Sequence, residues 1–417
     1  MHKNVLCSAI VTASVGVRQG APSSCLLFLI YIDQMVKMLN DEIGTDGFLG
    51  TLHALLLMDD TVLVATSREK CLKKMDVVMR YCEEYGMVIN EKKTKFFVVG
   101  GDEADALPLL VRGANISYSN KYLYLGAWFT DDGKINTVMK LHESSNEATV
   151  NKFAIFCASN TEMPFTYKRQ VFDAAMSGSL LYSRETWFTG NPKKLKAQYD
   201  RSVRSLLGVR HNTSIALCQV EAGIHPVQDK LIQRRFEFLR TKLQTRNSDE
   251  PLYIIYELCR QANTPGFKFL SHALQHYQQT DPLNKMTSYV RERQDATKFT
   301  VYRSLLNPSL SVHNIYSSRE FIPDYKRQSF TRIRVMSHSL RVETGRWGRI
   351  PPDLRLCSFN QNVVQSEEHI LLACPISQTL TQRYKSLDFT NMETLMESKD
   401  NEKELCNFIH DVLGIYA

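Results

Sequence analysis

Two adjacent aspartates, Asp59 and Asp60, are the residues of this sequence best suited to metal chemistry. They lie between two apolar runs, His53–Met58 and Thr61–Ala65, a pattern that predicts a β-hairpin with both carboxylates at its turn. Carboxylates held by rigid strands can bind Mg²⁺, and the ion keeps coordination positions for water and phosphate oxygens. Two such ions can clamp the attacking and leaving oxygens of a phosphoryl transfer. For the dipeptide alone, the alternative is a solvated turn between two surface strands.

Three further motifs accompany the Asp-Asp pair in a defined order: a glycine-containing turn before it, and a lysine-containing turn and an apolar strand after it. The four sequences are Gly16-Val-Arg-Gln-Gly-Ala-Pro-Ser-Ser24, Leu56-Leu-Met-Asp-Asp-Thr61, Gly86-Met-Val-Ile-Asn-Glu-Lys-Lys-Thr94 and Tyr122-Leu-Tyr-Leu-Gly126. Together, and in this order, they resemble the palm of a reverse transcriptase, specifically of the non-LTR (LINE-type) retrotransposon family.

This resemblance implies a role for each motif. The residues that match the family's template- and nucleotide-contacting turn are Arg18, Gln19, Gly20, Pro22 and Ser24. Asp59 and Asp60 would bind Mg²⁺, and Lys93 would meet the pyrophosphate leaving group as a cation or a proton donor. The implied activity is RNA-directed DNA polymerase, with an RNA template and a DNA primer as partners. Without the family, Lys93 is a solvated lysine and the glycines mark an ordinary turn.

The same comparison shows where this sequence departs from the family's pattern. The family's site needs another metal-binding aspartate on a strand upstream of the glycine turn, yet no Asp or Glu precedes Asp33. We therefore expect a chain that lacks the fingers and the first aspartate motif, with an incomplete two-metal site. In addition, Leu57 stands where an aromatic residue usually precedes the x-Asp-Asp, and Cys25 replaces the proline that usually follows Ser24.

Three functions are compatible with these matches and departures. The first, which we expect, is a reverse transcriptase fragment that is inactive alone. The second is an active polymerase whose missing part is supplied by another chain. The third is a non-enzymatic nucleic-acid-binding protein that uses its basic helices, and salt-dependent binding to primer–template without nucleotide addition would favour it.

Positive charge is concentrated in residues 151–250, which hold 16 basic and 9 acidic side chains, whereas the net charge of the whole chain is +7. Within this segment, Leu181-Tyr-Ser-Arg-Glu-Thr-Trp187 resembles the family's thumb signature, with Ser183 where a glycine usually follows the tyrosine. We expect the segment to contact the phosphates of a primer–template duplex. The alternative is an ordinary solvated helix face.

Near the end of the chain, Cys357, His369 and Cys374 resemble the Cys-Cys-His-Cys zinc-knuckle-like element of these retrotransposon proteins. Asn360 stands where the second cysteine belongs, and structural zinc sites nearly always have four ligands, so Zn²⁺ affinity should be weakened or lost. If the element keeps its shape, the three side chains converge. The alternatives are a buried cluster without metal, or a helix that buries Ile370–Leu372 and leaves the histidine outside.

Composition and cysteine usage set limits on the class of protein. The longest unbroken apolar run, Cys25–Ile32, has eight residues, whereas a bilayer span needs about 20, so we expect no membrane partner. Ten cysteines without a C-x-x-C pair predict reduced thiols in an intracellular protein, nuclear or cytoplasmic.

The expected fold is α+β: a partial polymerase palm, an antiparallel sheet with helices, followed by a mainly helical thumb and C-terminal region. The predicted divisions are a palm at 1–135, a basic thumb-like region at 136–250, a helical extension at 251–340 and the Cys/His element at 341–417. The predicted palm elements are strands Val11–Val17 and Phe96–Val99, hairpins at 53–65 and 122–133, and helices capped by Ser24 and Ser67.

Overall fold

The computed structural model describes residues 16–17, 20–102, 104–188, 192–248, 250–277, 282–293, 297–398 and 400–416. Within them the protein is α+β, as predicted, with small sheets early in the chain and a long, mainly helical remainder. It divides into two compact units, Met1–Tyr124 with Trp128–Lys134, and Leu125–Ala127 with Ile135–Ala417. Residues 11–15 of the predicted first strand lie outside the described residues.

The strands form four small sheets in the described part of the chain, with orders β1-β2, β3-β5-β4, β6-β7 and β8-β9. The strands are β1 Ala54–Leu57, β2 Asp60–Leu63, β3 Lys95–Phe96, β4 Leu109–Val111, β5 Ala114–Tyr118, β6 Lys121–Tyr124, β7 Ala127–Thr130, β8 Leu356–Cys357 and β9 Asn360–Val364.

Helices make up most of the remaining regular structure. The α-helices are α1 Pro22–Ile43, α2 Arg68–Glu84, α3 Ile135–Ser159, α4 Phe165–Val171, α5 Gly178–Leu181, α6 Arg184–Trp187, α7 Lys193–Leu207, α8 Ile215–Ala222, α9 Val227–Phe238, α10 Pro251–Gln261, α11 Pro265–Tyr277, α12 Pro282–Glu292, α13 Thr297–Val301, α14 Asp324–Arg334, α15 Arg341–Trp347, α16 Pro375–Thr381, α17 Met392–Met396 and α18 Glu402–Ile415. The π-helical segments are Phe172–Ser177, Leu239–Leu243, Tyr302–Leu306 and His369–Ala373, and the 3-10 turns are Gly47–Leu49, Ala104–Ala106, Asn314–Tyr316 and Pro352–Leu354.

The first unit packs around helix α2. Ser67 caps this helix as predicted, because its hydroxyl accepts a hydrogen bond from the backbone N–H of Lys70 at 3.2 Å. One part of α2 buries Tyr81 against Met35 of α1, and another buries Met75 against the β4–β5 hairpin. The β1–β2 hairpin adds apolar side chains to the α1–α2 core, so these two helices support the strands that carry the Asp-Asp pair.

Helix α1 begins three residues earlier than a Ser24 cap predicts. Ala21 is the N-cap, and Pro22 occupies the first turn, where its missing N–H leaves no donor unsatisfied. The backbone N–H of Ser24 donates to the carbonyl of Ala21 at 3.0 Å. Ser24 is therefore an early helical residue and not the cap.

By length and composition alone, α1 is the one helix among the described residues that could cross a membrane. The longest unbroken apolar run, Cys25–Ile32, is too short to have indicated such a helix. A single helix of this kind is a weak indication, since the core helices of soluble proteins pass the same test. Helix α1 does bury Ile32, Met35 and Leu39 in the core of the first unit.

Turn geometry accounts for the hairpins that the sequence placed wrongly or missed. The β6–β7 hairpin turns at Leu125-Gly126, with φ of 48° and 78°, and not at the Asp131-Asp132-Gly133 sequence that ends the predicted 122–133 hairpin. The unpredicted β4–β5 hairpin turns at Arg112-Gly113, with φ of 47° and 84°. A two-residue type I′ turn needs positive φ at both positions, and a glycine supplies only the second of them in each case.

Strand β3 is shorter than predicted. It pairs in parallel with β5 through Lys95 and Phe96 only, and Val98 and Val99 lie outside it. The chain leaves the sheet there, since the N–H of Gly100 donates to the carbonyl of Asp131 at 2.9 Å.

The second unit is built on a single hydrophobic core whose buried residues run from Met139 to Val412. Closely packed helix pairs include α3 with α7, α8 with α12, α9 with α11 and α14 with α18. Between residues 136 and 330, the described residues form no strand, which confirms the mainly helical prediction. The divisions at 250 and 340 stay predictions.

Buried ion pairs join distant helices of the second unit. The ammonium of Lys168 lies 2.7 Å from Asp324, and the guanidinium of Arg327 lies 2.6 Å from the same aspartate. Arg334 lies 2.8 Å from Glu221, and all of these side chains are essentially inaccessible to solvent. Because removing one partner leaves a buried charge uncompensated, these pairs fix α4 and α8 against α14.

Candidate active site and Cys/His cluster

The β1–β2 hairpin holds the Asp-Asp pair at its tip, as predicted. Leu57 is the last residue of β1 and pairs with Asp60, the first residue of β2. Met58 and Asp59 therefore form the two-residue turn. Met58 has a φ of 54°, which is unfavourable for a non-glycine side chain, so the tip is held in a strained conformation next to the carboxylates.

Both carboxylates of the pair are accessible to solvent. Asp59 and Asp60 are exposed, as is Leu57 at 52%, so an ion could reach the tip. Among the described residues, no third histidine, cysteine or carboxylate lies with them at metal-ligand spacing. Carboxylate oxygens are the kind of ligand that Mg²⁺ prefers, but two adjacent carboxylates do not make a complete two-metal site.

A buried ion pair fixes the base of this hairpin. The ammonium of Lys74 in α2 lies 2.5 Å from the carboxylate of Asp46 and donates to the carbonyl of Val64 at 2.6 Å. Burial alone would raise the pKa of Asp46, but hydrogen bonds from Lys74, Thr66 and Lys70 hold that pKa well below its usual range. Val64 follows β2, and its backbone N–H donates to the carbonyl of His53 at 3.0 Å. Helix α2 therefore holds the β1–β2 pair at the end opposite the Asp-Asp turn.

The glycine-containing turn is described only in part. Arg18 and Gln19 lie outside the described residues. Gly20 has a φ of 83°, a conformation that favours glycine. Pro22 and Ser24 follow it in the first turn of α1, and Ser24 is buried.

The lysine motif forms a local turn that exposes Lys93. The side-chain oxygen of Asn90 accepts a hydrogen bond from the backbone N–H of Lys93 at 3.2 Å, and the hydroxyl of Thr94 donates to the carbonyl of Asn90 at 2.9 Å. The hydroxyl of Tyr122 donates to the carbonyl of Lys93 at 3.4 Å. This accounts for the Asn-x-x-Lys-Thr spacing: the asparagine orders the turn, and the lysine side chain extends into solvent.

Tyr124 in β6 lies near the Asp-Asp pair, although the sequence motif gave this tyrosine no role of its own. Burial chiefly, and then the negative charge of Asp60, raise the pKa of Tyr124. The apolar strand after the lysine motif therefore lies near the carboxylates. The sequence signal for this neighbour is the tyrosine in the middle of the apolar motif Tyr122–Gly126.

The thumb-like signature occupies a strained turn between α5 and α6. Ser183 has φ 56° and ψ 5°, a left-handed conformation that favours glycine. The next residue, Arg184, is 1% exposed, and neither of its terminal nitrogens has a hydrogen-bond partner among the described residues. Its guanidinium lies over the rings of Trp187 and Phe188, and burial lowers the pKa of Arg184 to about 10.

Many cations of the segment 151–250 serve the fold. Lys168, Arg184 and Arg235 are at most 5% exposed. Others form ion pairs with acidic side chains, namely Arg169, Lys194, Lys196, Arg201, Lys230, Arg234 and Arg246. Arg240 and Lys242 are exposed on one π-helical segment. The segment is therefore not a uniformly solvated helix face. Fewer of its cations can contact phosphates than its net charge suggests.

The C-terminal residues Cys357, His369 and Cys374 converge. Their potential ligand atoms all lie within 4.8 Å of one another, and the two sulfurs are 3.9 Å apart. Both thiols are fully buried and His369 is 6% exposed, so the alternative that leaves the histidine outside is wrong. Asn360 opposes Cys357 across the β8–β9 hairpin.

A π-helical ring explains how a five-residue spacing brings His369 and Cys374 together. Residues five apart on an α-helix point about 140° away from each other. Here the backbone N–H of Cys374 donates to the carbonyl of His369 at 2.7 Å, which is the i→i+5 pattern of a π-helix. The wider ring brings the two residues onto one side of the chain.

The three side chains fit Zn²⁺ as a donor set. Tetrahedral zinc with Zn–S bonds of about 2.3 Å places two sulfurs about 3.8 Å apart, close to the 3.9 Å observed. The Nε2 atom of His369 is buried without a hydrogen-bond partner, and burial lowers the pKa of His369, which favours the neutral ring that binds metals. Three ligands leave one tetrahedral position to be filled by another group.

Comparison with known proteins bears on the first part of the chain. Residues 6–129 match the model of the reverse transcriptase (RNA-dependent DNA polymerase) family. No curated protein matches the chain. The match covers the glycine turn, the Asp-Asp hairpin, the lysine turn and the strand that carries Tyr124. Residues 6–129 are therefore similar to a reverse transcriptase domain.

Proposed function

We propose that this chain is a reverse transcriptase of the non-LTR, LINE-type retrotransposon class that binds an RNA template with a DNA primer but does not extend the primer by itself. The four motifs in family order support the class. The exposed hairpin tip with Asp59 and Asp60 supports a palm surface that faces nucleic acid. We also propose that it acts inside the cell, in keeping with the free thiols of the described cysteines.

The observation that carries the proposed inactivity is the composition of the hairpin site. Asp59 and Asp60 have no third metal-ligating partner among the described residues, and residues 1–32 contain no carboxylate. Primer extension requires the 3′ hydroxyl to attack an α-phosphate and the pyrophosphate to leave. A site that cannot hold two metal ions loses several kcal/mol of transition-state stabilisation, or on the order of a thousandfold in rate.

The second candidate, an active polymerase completed by another chain, draws support from the sheet itself. In the described residues, β1 pairs with β2 alone, and this candidate places a strand of another chain beside them. A strand that brought a carboxylate to Asp59 would complete the metal site. This candidate predicts that a second chain restores Mg²⁺-dependent extension, and that Asp59→Ala abolishes the restored activity.

The third candidate, a binding protein without catalysis, depends on the exposed cations of the second unit. Arg240 and Lys242 are exposed and near each other on one segment. Such cations bind phosphates without regard to sequence, and the binding weakens as salt rises.

The test of the proposal is binding of a labelled DNA primer annealed to an RNA template, measured by fluorescence anisotropy with the full chain. We expect binding that weakens with salt, together with no nucleotide addition when deoxynucleotides and Mg²⁺ are present. Absence of binding at low salt would contradict the proposal. Equal binding of the primer–template and of a single-stranded DNA would favour the third candidate.

A further inference from the structure

An exposed tryptophan, Trp347, ends helix α15 and contacts the guanidinium of Arg210. The tryptophan is 54% exposed, and Cζ of Arg210 lies 4.4 Å from the centroid of its ring. Arg210 belongs to the loop between α7 and α8, so two segments that are distant in the sequence build this contact. A guanidinium covers only one face of an indole, and the exposed fraction leaves surface for a second planar group.

The backbone on both sides of this tryptophan is fixed by Arg355. The guanidinium of Arg355 donates to the carbonyl of Ile350 at 2.8 and 2.9 Å and to the carbonyl of Val342 at 2.9 Å. A Cβ on Gly345 would lie 2.7 Å from Cγ of the same arginine, so the glycine gives this side chain room to lie against α15. The exposed ring of Trp347 is therefore carried on an ordered backbone.

Arginines dominate the charge around this tryptophan. Residues 341–355 contain four arginines and two acidic residues. One of the acids, Glu343, is 1% exposed and forms ion pairs with Lys298 and Arg346, so its charge is balanced within the fold. Arg349 is exposed two residues after the tryptophan. The surface around the indole is therefore positively charged and suits a polyanion.

An exposed aromatic ring among arginines fits a single-stranded nucleic acid. The bases of a single strand stack on aromatic side chains, whereas the bases of a duplex are already stacked on one another. Arginine contributes a planar group that stacks and donors that bind phosphate. An acidic peptide would meet the arginines as well, but its carboxylates offer no planar ring system to the indole.

We propose that Trp347, with Arg210 and Arg349, forms a binding surface for single-stranded nucleic acid. A base stacks on the indole, and the two arginines contact the phosphates on either side of that base. The surface uses neither the palm motifs nor the cations Arg240 and Lys242. The proposal therefore goes beyond the primer–template binding proposed above and does not depend on it.

The test titrates the full chain with oligouridylate and with oligothymidylate, each about eight nucleotides long, a length within the usual range of single-strand sites. We expect the oligonucleotide to quench tryptophan fluorescence at low salt and to bind more weakly as salt rises. Trp347→Leu keeps an apolar side chain at an exposed position, so it should fold. It should lose most of the quenching and at least about fivefold in affinity, since a stacked base is lost.

Phe321→Leu is the matched control. Phe321 is 57% exposed in the same unit and follows the exposed Glu320, so this variant should keep both the affinity and the quenching. Arg349→Gln should reduce the slope of log affinity against log salt by about 0.7, the value for one phosphate of a single strand. The proposal is overturned if neither oligonucleotide quenches the unmodified chain, if Trp347→Leu and Phe321→Leu lose equal affinity, or if the slope of Arg349→Gln is unchanged.

Discussion

Leu57 lies directly opposite Asp60 in the β1–β2 hairpin, which leaves Met58 and Asp59 as its two-residue turn. This register places both aspartates at one exposed tip. It also places the exposed Leu57 next to them on the surface. The hairpin thus presents two adjacent carboxylates to solvent, without a third metal ligand beside them among the described residues.

The ion pair beneath this hairpin should contribute strongly to stability. Lys74→Met removes the one buried cation that pairs with Asp46 and leaves only the partly exposed Lys70 at 3.2 Å, and breaking a buried pair costs about 3–5 kcal/mol. Lys73→Met is the control, because Lys73 pairs with Glu69 on the exposed side of the same helix and such pairs contribute about 0–1 kcal/mol. Urea unfolding at neutral pH measures both changes, and equal losses would contradict the assignment.

The same ion pair predicts a pH dependence of stability. The pKa of Asp46 is lowered in the folded state, so its contribution to stability is present above the unfolded pKa of about 3.9. It is lost as pH falls toward the folded pKa, because the unfolded state binds the proton first. Asp46→Asn should flatten the acid side of the stability curve, and an unchanged slope would show that Asp46 is not responsible.

Backbone strain in the thumb-like turn should be relieved by glycine. Ser183 has a φ of 56°, where glycine is favoured, so Ser183→Gly should raise the free energy of unfolding by about 0.5–1 kcal/mol. Ser179→Gly is the matched control, since Ser179 lies in α5 and glycine in a helix costs about 0.5–1 kcal/mol. Thermal unfolding should therefore shift in opposite directions for the two variants. A shift in the same direction would refute the strain argument.

Restoring the family cysteine should strengthen zinc binding. Residues that face each other across an antiparallel pair project to the same side, and Asn360 faces Cys357. Asn360→Cys should therefore raise Zn²⁺ affinity by a large factor, because a third thiolate would complete a four-ligand site. Gln361→Cys projects to the opposite side and should leave the affinity unchanged. If the Asn360→Cys affinity equals that of the unmodified chain, the zinc-knuckle interpretation of this element is wrong.

Nucleic-acid binding should depend on exposed cations only. Replacing Arg240 and Lys242 with alanine should reduce the slope of log affinity against log salt by about 0.7–0.9 for each phosphate that the variant no longer neutralises. Replacing Lys196, whose ammonium pairs with Asp200, should leave the slope nearly unchanged. Anisotropy titrations at several salt concentrations give these slopes, and equal effects would mean that the phosphate surface lies elsewhere.

Local patterns predicted the elements that position the candidate site. Two apolar runs around Asp59-Asp60 were sufficient for the hairpin, and Ser67 was sufficient for the start of α2, because each signal is complete within a few residues. The turns at Arg112-Gly113 and Leu125-Gly126 were not found, since a non-glycine residue with positive φ has no clear sequence signal.

Interactions between distant residues were beyond the sequence. Nothing local indicates that Lys74 pairs with Asp46 or that Lys168 pairs with Asp324. The convergence of Cys357 with His369 and Cys374 was predictable only through the family pattern. The π-helical ring that makes it possible was not, because His369–Ala373 has the composition of an ordinary apolar helix.

Primer extension is the decisive assay for the proposed inactivity of the hairpin site. The purified full chain is mixed with an RNA template, a labelled DNA primer, deoxynucleotides and Mg²⁺, beside its Asp59→Ala variant. Because the site offers two carboxylates and no third ligand among the described residues, we predict that the primer stays unextended and that both proteins give the same result. Mg²⁺-dependent extension by the unmodified chain, abolished by Asp59→Ala, would contradict this prediction.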